Sequence, residues 1–273
     1  MSFDDLIGFF TNLGVDISSP GFYDHPSLLE LEQSGVDCLT GYARFVMLKP
    51  HSAEYLNSVR SKIVAGATRL NELMIEDGRL GACIDCSMSF SRMLDEFGIW
   101  NFCVKGALTL QFDDSSEFKP FHFWPVDEDD GSGREFGHKW VTAPPFKVID
   151  LTLKLQDYPV SFGHLLPPFV MFDDAEVIEP SFMDVISPPA LAYALSQGAT
   201  SENAMFLLAP HLRNVFRTFP SYFTSVRNLG LRYVTCGFSA SDGPLSGITA
   251  LTCKGMTAPV LFDREIRPAM ATD

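Results

Sequence analysis

The sequence predicts an α+β fold from three changes of pattern along the chain. Apolar residues recur at helical spacing in residues 52–78, in steps of three, four or seven. The period shortens to two in residues 101–112, which is typical of a strand. Helical spacing returns in residues 188–197 and 201–217, and a strand-like segment follows at 231–255. Helices and strands that come in runs, without regular alternation, favour α+β over a wound parallel sheet.

Three helices are predicted before residue 80. Residues 1–14 predict a short amphipathic helix, and residues 27–35 predict a second short one. The long helix at 52–78 has Ser52 as its expected N-cap, with Tyr55 at the third helical position. The apolar residues that set its period are Leu56, Val59, Ile63, Leu70 and Leu73.

The stretch "GACIDCSMSFSRMLDEFGIW", residues 81–100, predicts an amphipathic helix of about four turns at 3.6 residues per turn. Its apolar stripe advances by three or four residues at each step, through Cys83, Cys86, Phe90, Met93 and Phe97. Its polar stripe is expected on the opposite side and consists of Asp85, Ser89, Arg92 and Glu96. The glycine at position 98 ends the helix at the usual C′ position.

Two segments after residue 136 predict a hairpin-like pair of strands. "GHKWVTA" (137–143) and "FKVIDLTL" (146–153) are short strands separated by two prolines. Residues 158–189 are rich in Pro and Phe and show little periodicity. The segment 231–255 predicts two strands around a turn of Gly, Ser and Pro.

The net charge of −14 disfavours nucleic acid, which requires clustered Lys and Arg, and anionic membranes. No nucleic-acid or membrane partner is therefore predicted, and no apolar run is long enough to span a bilayer. The start, "MSFDDLIGFF", has acids where a secretory signal carries positive charge, so a cytoplasmic protein is expected. The six cysteines are then expected to be free thiols. The oligomeric state is unknown from the sequence.

Cys83 at a helix start, His138 on one strand and Asp150 on the next form a set of groups suited to acyl transfer by a thiol. His138 follows Cys83 by 55 residues, and Asp150 follows His138 by 12. A helix N-terminus and a neighbouring imidazolium both stabilise a thiolate nucleophile and lower its pKa. Histidine can deliver a proton to the leaving group, and a carboxylate on its far nitrogen sets tautomer and orientation. We therefore predict that Cys83, His138 and Asp150 are catalytic.

These segments resemble the core of the transglutaminase-like superfamily over roughly residues 75–155. Members carry Gly-x-Cys at the head of a helix, a Gly-Ile turn, a His-x-Trp-Val-like strand and a strand that commonly ends in Asp-x-Thr. The matching positions in this chain are Gly81 and Cys83, Gly98 and Ile99, His138 with Trp140 and Val141, and Asp150 with Thr152. Residues 1–50 and 165–273 show no such resemblance.

The resemblance implies a papain-like core, in which a helix that bears the cysteine packs on an antiparallel sheet that bears the histidine and the aspartate. We expect residues 1–180 to form this core with N-terminal helices, and residues 181–273 to form an α+β extension packed on it. Known activities of the superfamily are protein crosslinking, amide hydrolysis, proteolysis and deglycosylation. The implied function is hydrolysis or acyl transfer on a peptide, protein or small-molecule amide through a thioester. The alternative is an inactive member that acts as a binding module.

Other roles for the same residues remain open. Cys83 could be a core thiol, and Cys86 is the second choice of nucleophile. Their Cys-x-x-Cys spacing suits a redox or zinc site, but the preceding strand of a thioredoxin-like site and further zinc ligands are missing. His122 in "PFHFWP" competes with His138, although no Asp-bearing strand follows it directly. Asp150 could face water on an edge strand, but its apolar neighbours favour burial beside a partner such as His138.

The oxyanion hole and the substrate are less well defined by the sequence. The backbone N–H of Cys83 is a natural first donor, but no Gln lies just before Cys83 and no Trp lies upstream. The candidates for the second donor are Tyr42, Tyr55, His51 and Asn71. The acidic segment "DEDDGSG" (127–133) would favour basic or amine-bearing substrates if it rims the cleft, whereas a solvated turn is its more common role. It lacks the following Glu of an EF-hand, and no metal or cofactor is predicted.

Overall fold

The computed structural model describes residues 1–113, 116–127, 136–158, 162–241 and 243–271, and these residues have an α+β architecture. Helices make up most of the first hundred residues, strands follow, and short helices and strands share the last third. The predicted fold class is confirmed at the level of α+β. No helix within these five ranges is both long and apolar enough to cross a bilayer.

The helices before the sheet begin and end largely where the sequence predicts. They are α1 (Phe3–Asn12), α2 (Pro26–Gln33), α3 (Cys38–Leu48), α4 (Ala53–Asp77) and α5 (Cys83–Glu96). Oγ of Ser52 accepts the N–H of Tyr55 at 3.1 Å, so Ser52 is confirmed as the N-cap of α4. Gly78 ends α4 with a φ of 70°, a left-handed conformation that suits glycine. Helix α3 is an addition to the predicted helices, and Asp37 caps it.

One antiparallel sheet contains most of the strands. They are β1 (Phe102–Phe112), β2 (Phe121–Phe123), β3 (His138–Ala143), β4 (Phe146–Asp150), β5 (Val170–Phe172), β6 (Glu176–Ile178), β7 (Ser221–Val226) and β8 (Leu229–Ser239). Their order is β5-β4-β3-β1-β8-β7-β6, and β2 pairs with the second half of β1 beyond β3. The predicted pair of strands around residues 144 and 145 is confirmed as the hairpin of β3 and β4.

The sheet is curled, so that its two edge strands come close together. β5 and β6 are opposite edges of the sheet, yet only residues 173–175 join them. Because a chain spans at most about 3.6 Å per residue, these edges lie within about 14 Å of each other. Across the curl, the ring of Phe172 on β5 lies 6.4 Å from Tyr222 on β7 and 5.8 Å from Tyr233 on β8. Strands that are distant in the order therefore face one another across a concave side.

Successive side chains of β3 and β4 point to opposite faces of this sheet, as they do in any β-strand. Trp140 and Val148 point to the concave face, where they pack in one cluster with Tyr233. Val141 and Ile149 point to the convex face and pack in a second cluster with residues of α4 and α5.

Helices from the C-terminal third complete the convex face. Next to β1 and β8 lie α6 (Phe182–Val185), α7 (Pro188–Ser196), α8 (Ser201–Leu208) and α9 (Leu212–Thr218). Next to α4 and α5 lie α10 (Ala258–Leu261), a π-helical turn (Phe262–Ile266) and α11 (Arg267–Met270). The predicted helix over 201–217 is thus divided into α8 and α9, with Pro210 between them.

Helix α5 is buried on more sides than its pattern predicts. Its apolar stripe is buried except for Phe97, which is half-buried, and Ser89 and Arg92 of the predicted polar stripe are only 0% and 4% exposed. Part of the polar stripe is buried because the N-terminal segment packs over it. The guanidinium of Arg92 pairs there with Asp24 at 3.0 Å and with Asp95 at 3.5 Å.

The two strands predicted within 231–255 do not pair with each other. The second is reduced to β9 (Thr252–Cys253), which pairs with β10 (Met256–Thr257). Lys254 and Gly255 between them have positive φ values of 50° and 75°, typical of a two-residue hairpin turn that reverses the chain there. The hairpin partner of β8 is instead β7, which precedes it in the chain.

The predicted boundary at residue 180 falls between β6 and α6. Residues after this point supply β7 and β8 to the sheet that also contains β1 to β6. Near the C-terminus, α11 packs against α4. Strands on both sides of the boundary therefore belong to one sheet.

Candidate active site

Cys83 is the first residue of α5, and the chain just before it is anchored close to the end of β4. The N–H of Gly81 donates to the carbonyl of Leu155 at 2.7 Å, and Gly81 has a φ of 68°, which favours glycine. Ala82 at the N-cap provides no side-chain cap, so the first N–H groups of α5 have no acceptor from that side chain. The helix dipole places partial positive charge at this end, beside the thiol, which is 8% exposed.

His138 is held next to the first turns of α5 by a buried hydrogen bond one residue along β3. Oγ of Ser87 on α5 donates to the carbonyl of Lys139 at 3.1 Å. His138 lies opposite Gly106 of β1 in the sheet register. Because side chains alternate along a strand, His138 shares the concave face with Trp140.

His138 and Asp150 form a hydrogen bond that is closed off from solvent. Nε2 of His138 lies 2.7 Å from Oδ2 of Asp150, and the two residues are 1% and 0% exposed. Oδ1 of Asp150 accepts the backbone N–H of Thr152 at 3.0 Å and its hydroxyl at 3.4 Å. The hydroxyl of Tyr233 donates to Oδ2 at 2.9 Å. The buried carboxyl group thus has the partners that burial requires.

The surroundings of His138 favour its protonated form. Burial alone would lower the pKa of His138, but the charge and hydrogen bond of Asp150, together with the Cys83 thiol, outweigh it and hold this pKa above its ordinary value. Nδ1 of His138 has no hydrogen-bond partner among the described residues. Since Nε2 is engaged by Asp150, Nδ1 is the ring nitrogen left for the thiol of Cys83.

Aromatic side chains exclude water from this group. The ring of Phe123 lies 5.3 Å from the ring of His138 in a tilted arrangement. Burial, and then the charges of Asp150 and Cys83, raises the pKa of Tyr158, whose hydroxyl donates to the carbonyl of Leu153. A dry, apolar wall strengthens the electrostatic interaction between His138 and Asp150.

Cys86 is less suited to nucleophilic attack than Cys83. It lies one turn deeper in α5 and is fully buried. Burial, followed by the charges of Asp150 and Cys83, raises the pKa of the Cys86 thiol. A thiol whose thiolate is disfavoured is a weak nucleophile. Cys83 and Cys86 are both buried thiols, and no disulfide joins the pair.

His122 belongs to a different polar group. Its Nδ1 lies 3.0 Å from Oγ1 of Thr109, which in turn donates to Asp184 at 3.2 Å. Its ring stacks on Trp124, and burial lowers its pKa. Asp184 is engaged by Arg232 through both carboxylate oxygens, which makes this group a structural link between α6 and β8.

The side chains considered for the second oxyanion donor have other contacts. Both amide protons of Asn71 are donated to backbone carbonyls, at 2.8 and 3.1 Å. The hydroxyls of Tyr42 and Tyr55 each accept a backbone N–H, and His51 stacks on Tyr55. The donors that the site itself offers are therefore the first-turn N–H groups of α5.

Two further expectations concern metals and the acidic segment. Across the described residues, no group of three or more His, Cys, Asp or Glu side chains is arranged to hold a metal ion. Of the segment 127–133, only Asp127 lies within the described residues, where the hydroxyl of Ser187 donates to its carboxylate. The other six positions lie outside them, so a role at the cleft rim stays a prediction.

Tyr233 is the residue at this site that the sequence analysis does not single out. It lies 83 residues after Asp150 and reaches it only because β8 and β4 are both strands of one curled sheet. A signal was present in "LRYVTC", where tyrosine occupies an apolar position of a strand. A buried tyrosine hydroxyl usually has a hydrogen-bond partner, which points to a polar group on the facing strand.

Comparisons of the chain with protein-family models, with curated proteins and with solved structures gave no match. The resemblance to the transglutaminase-like superfamily therefore depends on the short motifs around Cys83, His138 and Asp150.

Proposed function

We propose that the protein is a cysteine-dependent amidase, peptidase or acyltransferase with a papain-like, transglutaminase-like core. The supporting observation is the buried 2.7 Å hydrogen bond between His138 and Asp150, which leaves Nδ1 of His138 unpaired beside the thiol at the start of α5. This is the arrangement of nucleophile, base and orienting carboxylate that thiol acyl transfer requires.

In the proposed reaction, the Cys83 thiolate attacks the carbonyl carbon of an amide, and the first-turn N–H groups of α5 stabilise the oxyanion. The C–N bond breaks as His138 gives its Nδ1 proton to the leaving nitrogen, which departs as an amine or ammonia. A thioester remains on Cys83. Water or an amine then attacks the thioester while His138 takes a proton from it, and the acyl product leaves with Cys83 restored as the thiolate.

The proposed substrates are peptides, proteins or small molecules that carry an amide. A thiolate nucleophile persists best in a reducing compartment, so we propose that the protein acts in the cytoplasm.

Labelling with a small cysteine-directed electrophile tests this proposal. Cys83 should react faster than the other five cysteines, and Cys83→Ala should abolish both the rapid labelling and the formation of an acyl adduct in intact mass spectrometry. Cys86→Ala is the matched control, because it removes a thiol one turn away and should leave both signals in place. Preferential labelling of Cys86, or slow labelling of every cysteine, would contradict the proposal.

A second candidate function is ligand binding without catalysis, and a cavity away from Cys83 favours it. The cavity has a volume of about 750 Å³ and is lined by residues such as Asp37, Lys105, Ala209, His211 and Phe238. That volume is in the range of small-molecule sites. Under this alternative, Cys83→Ala leaves the biological phenotype intact, whereas Ala209→Trp, which fills the cavity, abolishes it. Loss of the phenotype in a folded Cys83→Ala protein would rule the alternative out.

A further inference from the structure

A single oxygen atom of Asp150 serves two donors. Oδ2 accepts from Nε2 of His138 at 2.7 Å and from the hydroxyl of Tyr233 at 2.9 Å, while Oδ1 accepts from Thr152. All four residues are buried. Burial, and then the charge of Asp150, raises the pKa of Tyr233 far above its ordinary value, so the phenol stays a neutral donor.

The orientation of this hydroxyl sets the sign of its effect on His138. Its hydrogen points at Oδ2, so the positive end of the O–H dipole faces the carboxylate and the imidazolium beyond it. The dipole therefore opposes the attraction between Asp150 and the protonated ring. Two donors on one oxygen also weaken each other, because each draws on the same electron density.

We infer that Tyr233 is a positioning residue that shares Oδ2 of Asp150 with His138, and that this weakens the hold of the carboxylate on the imidazolium so that the ring can release its proton to a leaving group. This inference rests on the proposed function for its catalytic consequence. Thr152 donates to Oδ1 and so fixes the position of the carboxylate. Tyr233 is therefore not required to position Asp150, and its hydroxyl acts mainly on the strength of the interaction between Asp150 and His138.

Other titratable groups act on the same pair and limit what Tyr233 alone can do. They come from α5 and from the segment after β4, and they are Cys83, Cys86 and Tyr158. Among them, the hydroxyl of Tyr158 donates to Leu153 and not to Asp150.

The test is Tyr233→Phe, which removes the hydroxyl and keeps the ring. The stronger hold of Asp150 should raise the pKa of His138 and stabilise the thiolate, so the pH of half-maximal alkylation of Cys83 should fall by roughly half a unit. Turnover should fall about two- to three-fold, because the imidazolium becomes a weaker acid. Tyr222→Phe is the matched control, since Tyr222 lies opposite Tyr233 on β7 and should change neither quantity.

A residue with a purely structural role would move the alkylation midpoint upward or not at all, and either result would overturn the inference. If Tyr233→Phe does not fold, 3-fluorotyrosine can replace Tyr233. This residue keeps the hydroxyl and makes it a stronger donor, so the alkylation midpoint should shift upward. A downward shift, or no shift, overturns the inference.

If Cys83 is not rapidly alkylated, the proposed function fails, and the inference is then judged by NMR titration of His138 in the same variants. An unchanged or lowered pKa of His138 in Tyr233→Phe would refute it there.

Discussion

Gly106 and Trp140 approach each other so closely that a Cβ atom at position 106 would lie 2.3 Å from Cη2 of the indole. The same atom would lie 2.2 Å from the carbonyl oxygen of Val234, which is backbone and cannot rotate away. Gly106 also lies opposite His138, where the register between β1 and β8 shifts. The absence of a side chain there lets a strand and an indole pack together at the point where the sheet supports the histidine.

Gly106→Ala is expected to destabilise the protein by about 3 kcal/mol, in the upper part of the range for overpacked cores. It should also slow the alkylation of Cys83, because β3 has to shift to admit the methyl group. Chemical denaturation followed by tryptophan fluorescence measures the first effect. Gly237→Ala is the matched control, since nothing lies within 4 Å of a Cβ there on the neighbouring strand β8. Equal stability of the two variants would contradict the crowding at Gly106.

The charge group around Arg92 predicts a dependence of stability on pH. Burial raises the pKa of Asp95 to about 7, although Arg92 and hydrogen bonds from Asn101 and Tyr23 oppose the rise. The raised pKa stabilises the folded protein in full at pH values below 3.8, the pKa of an aspartate in the unfolded chain. This contribution is lost as the pH rises from 3.8 towards 7. The change is on the order of 2 to 4 kcal/mol, at about 1.4 kcal/mol per pKa unit.

Asp95→Asn isolates this contribution, because asparagine resembles the protonated acid at every pH. The free energy of unfolding of the variant, relative to that of the native protein, should increase between pH 4 and pH 7 and then level off. Urea denaturation at several pH values gives this difference directly. A difference that is constant or that falls with pH would mean that Arg92 keeps Asp95 ionised in the folded state.

Arg92 itself is expected to be needed mainly when its acidic partners are charged. Arg92→Met should destabilise the protein by about 3 kcal/mol at pH 8, where it leaves the largely buried carboxylate of Asp95 without a counter-charge. The loss should be smaller at pH 5, where Asp95 is protonated. Arg60→Met is a suitable control, since its ion pair with Asp173 is exposed and such pairs contribute about 1 kcal/mol or less. An equal loss from Arg92→Met at both pH values would contradict the coupling to Asp95.

Local patterns predicted the elements whose signals lie within a few residues of each other. Ser52 as the cap of α4, the start of α5 at Cys83 and the hairpin of β3 and β4 belong to this group. The order of His138 and Asp150 on adjacent strands followed from the same short-range reasoning.

Contacts between distant segments were beyond that reasoning. The contact of Tyr233 with Asp150 needs the curl of the sheet, and the burial of Arg92 needs a partner such as Asp24, which lies 68 positions earlier. Neither follows from the spacing of apolar residues along one element. The two-residue turn at Lys254 and Gly255 is a different case, because the glycine that favours it is a local signal. The sequence analysis placed the turn earlier, in the segment rich in Gly, Ser and Pro that precedes Lys254.

The final prediction concerns Asp150→Asn, which removes the charge that favours the imidazolium. The serine-protease template loses about ten thousand-fold in turnover from the equivalent change. We expect about a hundred-fold here, because the helix dipole of α5 still supports the thiolate. The pH of half-maximal alkylation of Cys83 should rise, in the opposite direction to Tyr233→Phe, because the imidazolium is weaker.

The hydrogen bonds of Asp150 also determine the cost in stability. Both carboxylate oxygens accept, Oδ2 from His138 and Tyr233 and Oδ1 from Thr152, whereas asparagine has one acceptor and one amino group. If the amino group faces Thr152, the backbone N–H of Thr152 is left without an acceptor. If the amino group faces His138, Nε2 of the ring has to accept its hydrogen bond, and the ring proton then lies on Nδ1 instead of Nε2. Either arrangement should cost about 1 to 3 kcal/mol. Asp184→Asn, at a buried aspartate outside this group, should lose stability without moving the alkylation midpoint, and an unchanged midpoint in Asp150→Asn as well would remove Asp150 from the proposed site.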